Sequence, residues 1–268
     1  MEKRPKLNRR PHRPVLPGLS PAAPYFARLS SRSALYSELR LLLEGLDRPL
    51  ASREYRALVL EENRLARGTA STRLKLWEQL HSRYRLDRED PVFAAFWAEW
   101  SQSRSEPERG LTAYVLFALN DRLVMDLGTE WLFPLLRRAP AEVRVEDVQA
   151  FLRRAEARHP EVAAWSAETR LAWAQKYLAS IRDFGLAEGV VRKRTVRPAL
   201  HAAPVRLLVR ALRLAGASPL DLVQSRVFRL LGIDAHEVID ALGELNRLCA
   251  LRFRMQGDVI ELSLEEAA

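Results

Sequence analysis

Between about residue 31 and residue 158, apolar side chains recur at three- and four-residue spacing, the pattern of helices that each bury one face. Leu74, Trp77, Leu80 and Tyr84 form one such stripe, and Val145, Val148, Leu152 and Ala155 form another. Ser105 with Glu108 three residues later has the spacing of a capping box and starts a helix through Leu111, Val115 and Leu119. The pattern predicts a helical bundle domain over residues 31–160.

After His159-Pro160 the texture changes to helices followed by short β elements. Leu171, Ala174, Leu178 and Ile181 make a stripe that ends at Gly185, a residue suited to a helix C-cap, and residues 190–196 read as a β-prone basic ribbon. Helices are then predicted at 204–214, 219–231 and 235–248. Strands follow at 251–255 and 259–264 around the turn Gln256-Gly257-Asp258. Residues 161–268 thus divide into two units, 161–200 and 201–268, each with helix before hairpin, and the second has the winged-helix order of three helices then a hairpin. The fold class is mainly α, a helical N-terminal bundle followed by winged-helix-like units with short β-hairpins. Residues 1–30 stand apart. Pro5, Pro11, Pro14, Pro17, Pro21 and Pro24 lie among basic residues, which predicts a flexible basic arm.

Composition narrows the function. With 48% hydrophobic residues in 268, the chain has material for one large or two modest domains. Its 43 Lys+Arg against 34 Asp+Glu give a formal charge of +9, a field that attracts polyanions such as DNA, RNA or an anionic membrane surface. Residues 1–32 carry a net +7 of this, with Arg9, Arg10 and Arg13 among eight Lys/Arg against Glu2 alone. Such an arm either tracks phosphates or enters a minor groove, or else is a solubilising tail or a partner-binding strand. The ribbon Arg192-Lys193-Arg194 with Arg197 looks like a basic wing, and Arg206, Arg210 and Arg213 share one face of the helix behind it. The last helix carries Asp234, Glu237, Asp240 and Glu244, so it is a poor major-groove reader, and its unit is a docking module for protein or one that contacts DNA through a different face.

Catalytic apparatus is hard to find. The 11 glycines are scattered and form neither a P-loop nor a dinucleotide fingerprint. Asp183-Phe184-Gly185 matches three letters of a kinase motif without its companions and reads as a helix end with its cap. The histidines (His12, His81, His159, His201, His236) lack metal-ligand spacing. Asp87, Glu89, Asp90 and Glu61-Glu62 are the carboxylates a nuclease would use, but beside Arg85 and Arg88 they read as a solvated helix end with salt bridges. The six tryptophans fall largely in apolar stripes and read as core. The expectation is a non-enzyme with no cofactor, no metal and no small-molecule substrate. The one cysteine, Cys249, placed in the apolar run of a predicted helix, excludes an intrachain disulfide and fits a reducing cytoplasm. No apolar stretch of 18 or more residues is present, so no membrane span is expected.

The order of several segments resembles the BrxA family of bacteriophage-exclusion (BREX) systems. These segments are Glu62-Asn63 before residues 70–80, then 165–178 with Thr169, then Phe184-Gly185-Leu186 and a basic ribbon ending at Pro198. Ala215-Gly216, residues 228–232 and a closing hairpin around Gly257 complete the order, which covers roughly residues 30–264. The resemblance implies a helical, cytoplasmic protein with a NusB-like part that binds double-stranded DNA beside other BREX proteins in phage defence. The basic, Pro-rich arm has no counterpart in the family pattern, and no family motif transfers individual DNA-contacting residues. The expected contacts are therefore electrostatic: Arg9, Arg10, Arg13, Arg192, Lys193, Arg194, Arg197, Arg206 and Arg210 on the phosphate backbone of double-stranded DNA. The competing readings are an adaptor that assembles larger defence proteins, and an RNA-binding protein.

Overall fold

In a computed structural model that describes residues 14–138, 140–257 and 259–264, the chain is mainly helical, with a few short antiparallel strand pairs. The first helices are α1 (Tyr36–Leu43), α2 (Ser52–Leu60), α3 (Ala70–Tyr84), α4 (Pro91–Gln102) and α5 (Glu106–Asn120). Each of the last three starts on a side chain that accepts a free backbone N–H of the first turn. Thr69 takes Thr72 N at 3.2 Å, Asp90 takes Val92 N and Phe93 N at 2.8 and 3.1 Å, and Ser105 takes Glu108 N at 3.3 Å. The reciprocal arm of the expected capping box is displaced by one residue, because the Glu108 carboxylate accepts from Arg104 N. Every residue of α5 from Gly110 to Leu119 is buried, so this helix is the axis of the core, with α3, α4 and the later helix α10 against it.

The middle of the chain runs through α6 (Arg122–Asp126), a π-helical turn at Leu127–Leu132, α7 (Phe133–Arg137), strand β1 (Glu142–Val143) and α8 (Val145–Ala155). Then come α9 (Ala167–Asp183), β2 (Ala187–Glu188), β3 (Lys193–Thr195) and α10 (Ala202–Leu214). The chain closes with α11 (Pro219–Val223), α12 (Val238–Arg247), β4 (Arg252–Gln256) and β5 (Val259–Ser263). β1, β3 and β2 form a three-stranded antiparallel sheet in that order, and β4–β5 form a hairpin. The hydrophobic core runs without interruption from Leu16 to Leu262, and crosses residue 160 through the packing of α8 on α9 and of α10 on α4 and α5.

Several elements differ from their sequence-based expectation. Residues 14–30 are not a free arm. Leu16, Tyr25 and Leu29 are buried, the Trp173 indole N–H donates to Phe26 O at 3.3 Å, and Tyr25 stacks on His159 with ring centroids 3.6 Å apart. Gly18 lies so close to α5 that a Cβ there would meet Ala118 O at 2.1 Å, so no larger residue lets the strap lie flat. The Tyr25 hydroxyl donates to Asp126 at 2.8 Å, and burial beside that carboxylate pushes its pKa well up. Asp126 is held in turn by Arg122 at 2.6 Å, a pair almost wholly removed from water.

Leu74 and Leu171, counted in core stripes, are 41% and 42% exposed. The buried faces are rotated onto Leu76 in α3 and onto Trp173 and Tyr177 in α9. The helix predicted at 219–231 breaks after α11, where Ser225 caps a separate 3-10 turn, Arg226–Leu231. A second 3-10 turn, Ala235–Glu237, opens the helix predicted at 235–248. Cys249 lies outside α12, exposed and with a left-handed backbone (φ 56°). No helix among the described residues is long and apolar enough to cross a membrane.

Candidate nucleic-acid interface

The basic ribbon is a hairpin fixed at its base and free at its tip. α9 ends with Gly185 in the left-handed region (φ 82°), and Leu186 N donates back to Ile181 O at 2.8 Å, which turns the chain out of the helix into β2. Gly189 (φ 92°) makes the reversal; a Cβ on it would stand 2.1 Å from Arg192 O, so the tight turn requires glycine. β3 then returns between its two neighbours. Thr195 anchors it: buried, it donates its backbone N–H to Ala141 O at 2.8 Å and accepts Ala141 N at 3.0 Å on its hydroxyl. Val196 N closes the base on Leu186 O at 2.9 Å.

The expected β ribbon over 190–196 is thus shorter than the sequence suggested. Only Lys193–Thr195 is strand, while Val190, Val191 and Arg192 form the tip, with the Lys193 ammonium donating to Val190 O at 2.8 Å. The register sets Arg194 opposite Glu142 on one side and Glu188 on the other. Cross-strand neighbours share a face, so Arg194 stands in a row of alternating charge. The Glu142 carboxyl is held below the usual carboxylate range, chiefly by its hydrogen bond from Arg144 and further by the nearby Arg192 and Arg194. No carboxylate among the described residues lies within ion-pair distance of Arg192, Lys193, Arg194 or Arg197. Arg192, Arg194 and Arg197 are exposed, and Lys193 is half-buried with its ammonium on Val190 O.

Arg206 and Arg210 sit in a different environment. Both turn inward onto Glu99 of α4, whose side chain is only 2% exposed. Arg206 Nε reaches one carboxylate oxygen at 2.7 Å and Arg210 Nε the other at 3.0 Å, and Arg206 Nη1 also donates to Ala250 O at 3.4 Å. Arg213, on the same face, donates to Leu262 O. This face of α10 is thus an internal seam that joins α4 to the C-terminal hairpin, not an outward basic surface. Arg9, Arg10 and Arg13 lie outside the described residues.

The sequence reading missed Arg144. It directly follows β1, and its guanidinium donates to Glu142 at 3.1 Å, so it neutralises the acid that the register sets opposite Arg194. A two-residue strand is too short to carry periodicity, so nothing in the sequence signalled it.

Of the carboxylates weighed for metal chemistry, Asp87, Glu89 and Asp90 have partners within the protein. Asp90 caps α4 and pairs with Arg85 at 2.6 Å, and Glu89 pairs with Arg88 at 3.1 Å. Among the described residues no group of three or more His, Cys, Asp or Glu side chains could hold a metal ion. The acids of the C-terminal helix region are also partly engaged inside the molecule: Asp234 with Arg229 at 3.0 Å, and Glu237 with Arg137 at 2.6 Å from its second oxygen.

Compared with known families, residues 23–211 match the BrxA family model, well over half of the chain. The chain belongs to the BrxA family. It is therefore a component of a BREX phage-defence system. The BrxA match starts at residue 23, past the docked Leu16 and Gly18, takes in Tyr25, Leu29, the helices α1 to α9 and the whole β2–β3 hairpin, and ends within α10. No curated protein matches the chain.

Proposed function

We propose that this BrxA-family protein is a non-enzymatic binder of double-stranded DNA, held mainly by the phosphate backbone, and that it works with other BREX proteins in the cytoplasm. The observation that carries this reading is the β2–β3 hairpin: a basic tip on an anchored sheet, with Arg192, Lys193, Arg194 and Arg197 free of carboxylate partners among the described residues. Cations held on a rigid support lose little entropy when they meet phosphate, and their donors need not first be released from an internal acid. Arg206 and Arg210 drop out of the contact set for the opposite reason, since meeting phosphate would strip the buried Glu99 of its partners. The non-enzymatic part is supported by the carboxylates, whose caps and ion pairs account for Asp90, Glu99 and Asp126.

The deciding experiment is a fluorescence-anisotropy titration of duplex DNA across a salt series, with the intact protein and with Arg192→Ala/Lys193→Ala/Arg194→Ala. If each side chain neutralises one phosphate, the slope of log affinity against log salt should flatten by roughly 2–3 in the variant. A parallel decline with no change of slope removes the hairpin from the backbone, and tighter binding to structured RNA than to duplex DNA makes RNA the ligand. Absence of binding at low salt favours the adaptor reading, for which Leu248 and Val259, both well exposed at the C-terminal end, are the first surface to mutate.

A further inference from the structure

The hairpin tip carries a feature that phosphate binding does not use. Val190 is 74% exposed and Val191 93%, and both lie in the loop that joins β2 to β3. Short hairpin loops ordinarily hold Asn, Asp, Ser or Gly, whose backbone preferences and polar side chains suit a solvated reversal; here residues 189–192 join β2 to β3. Gly189 already supplies the positive φ here, so turn geometry gives no reason for two β-branched apolar residues beside it. Behind the valines come Arg192, Lys193 and Arg194, with Glu142 and Glu188 opposite Arg194 but outside ion-pair distance, and Glu142 held by Arg144. An apolar point followed by three successive cations fits a surface that is apolar at the bottom and anionic at the rim.

We propose that Val190 and Val191 enter the minor groove of duplex DNA and pack against its sugar walls, while the flanking cations hold the two phosphate backbones. This inference rests on the DNA-binding reading above and adds to it the groove and the residues that enter. The minor groove is about 6 Å wide, too narrow for a whole ribbon but wide enough for the side chains of a tip, and its negative potential is strongest where it is narrowest. Val190 and Val191 have no donor or acceptor with which to read base edges in the major groove. The contact is therefore tolerant of sequence and favours narrow, A·T-rich duplex.

The test uses the full chain and the variant Val190→Ser/Val191→Ser, whose melting temperature should match the parent because both side chains are already in water. On an A·T-rich duplex at moderate salt the variant should bind roughly tenfold more weakly, the effect of losing partial burial of two valines, with its salt slope unchanged. Netropsin, a minor-groove ligand, should displace the parent, and methyl green, a major-groove ligand, should not. Unchanged affinity in the valine variant overturns the inference, and leaves the function intact if the Arg192/Lys193/Arg194 variant still flattens the slope. Displacement by methyl green alone places the tip in the other groove and also overturns it. Loss of binding to phosphatidylglycerol vesicles in the valine variant, with DNA affinity unaltered, would assign the tip to a lipid surface instead. No duplex binding by the parent removes both readings together.

Discussion

The hairpin and α10 carry arginines at similar density and lie only a few residues apart in the chain, yet they have opposite fates. Arg192 and Arg194 stand on a two-sided ribbon with their heads in solvent, whereas Arg206 and Arg210 converge on one carboxylate that is almost completely buried. Whether an arginine is available to a ligand depends here on an acid far away in sequence. Glu99 lies 107 residues before Arg206 and 111 before Arg210, on a helix that faces α10 only after the core has formed. Charge density along a chain therefore overstates the binding surface wherever a buried acid can recruit it.

The largest effect that would sharpen this contrast is on stability. Glu99→Ala leaves two inward-facing guanidinium groups without their shared partner and should cost about 3 kcal/mol, lowering the melting temperature by on the order of 5–10 °C. The duplex-DNA salt slope should not change. A Glu99→Ala protein that melts like the parent and binds DNA more tightly would break the contrast, because it would mean that Arg206 and Arg210 are held back for a ligand.

A smaller effect is expected at Gly189→Ala. Its new methyl group would collide with Arg192 O and sit at a positive φ, so the tip must rearrange at a cost of roughly 1–3 kcal/mol. Since the hairpin is peripheral, the melting temperature should move little, while DNA affinity falls because the cations lose their fixed spacing. Equal affinity in the two proteins would show that the tip needs no preset shape.

The smallest effect concerns acid. Asp234 is held below the usual carboxylate range, first by the Ala235 backbone N–H and then by Arg229, and Glu237 chiefly by Arg137. A depressed folded-state value means the stabilisation is present above the unfolded pKa and disappears as pH falls through the folded one. Amide exchange of residues 234–247 should accordingly accelerate below about pH 4, the ordinary carboxylate range, before the helical core around α5 responds. Simultaneous loss of both regions would mean that these pairs do not control the C-terminal unit.

Much of the fold was legible because it depends on local chemistry. The Ser105 cap, the Gly185 stop and the β4–β5 hairpin around Gly257 each follow from residues within a few positions of one another. What failed depends on distant partners. Leu74 and Leu171 have helical spacing, but they flank the buried stripe, and spacing alone cannot say which of two adjacent lines faces inward. Leu16, Tyr25 and Leu29 share no period, and their burial is decided by α5, α6 and α9. The hairpin cations were visible as a cluster. Their freedom was not, since it depends on which acids the β1–β3–β2 sheet brings near.

The docked N-terminal strap has a consequence for synthesis on the ribosome. Phe26 offers its carbonyl to Trp173, 147 residues later, and Tyr25 its hydroxyl to Asp126, 101 residues later. At about 5–20 residues per second, the strap waits on the order of 7–30 s for Trp173 to be made. The turn at Pro17–Leu19 and Tyr25 meet α5 and α6 sooner, whereas Leu29, in the turn that packs on α9, has nowhere to go during that interval, and the prolines and positive charges nearby favour an extended, soluble nascent segment until α9 exists.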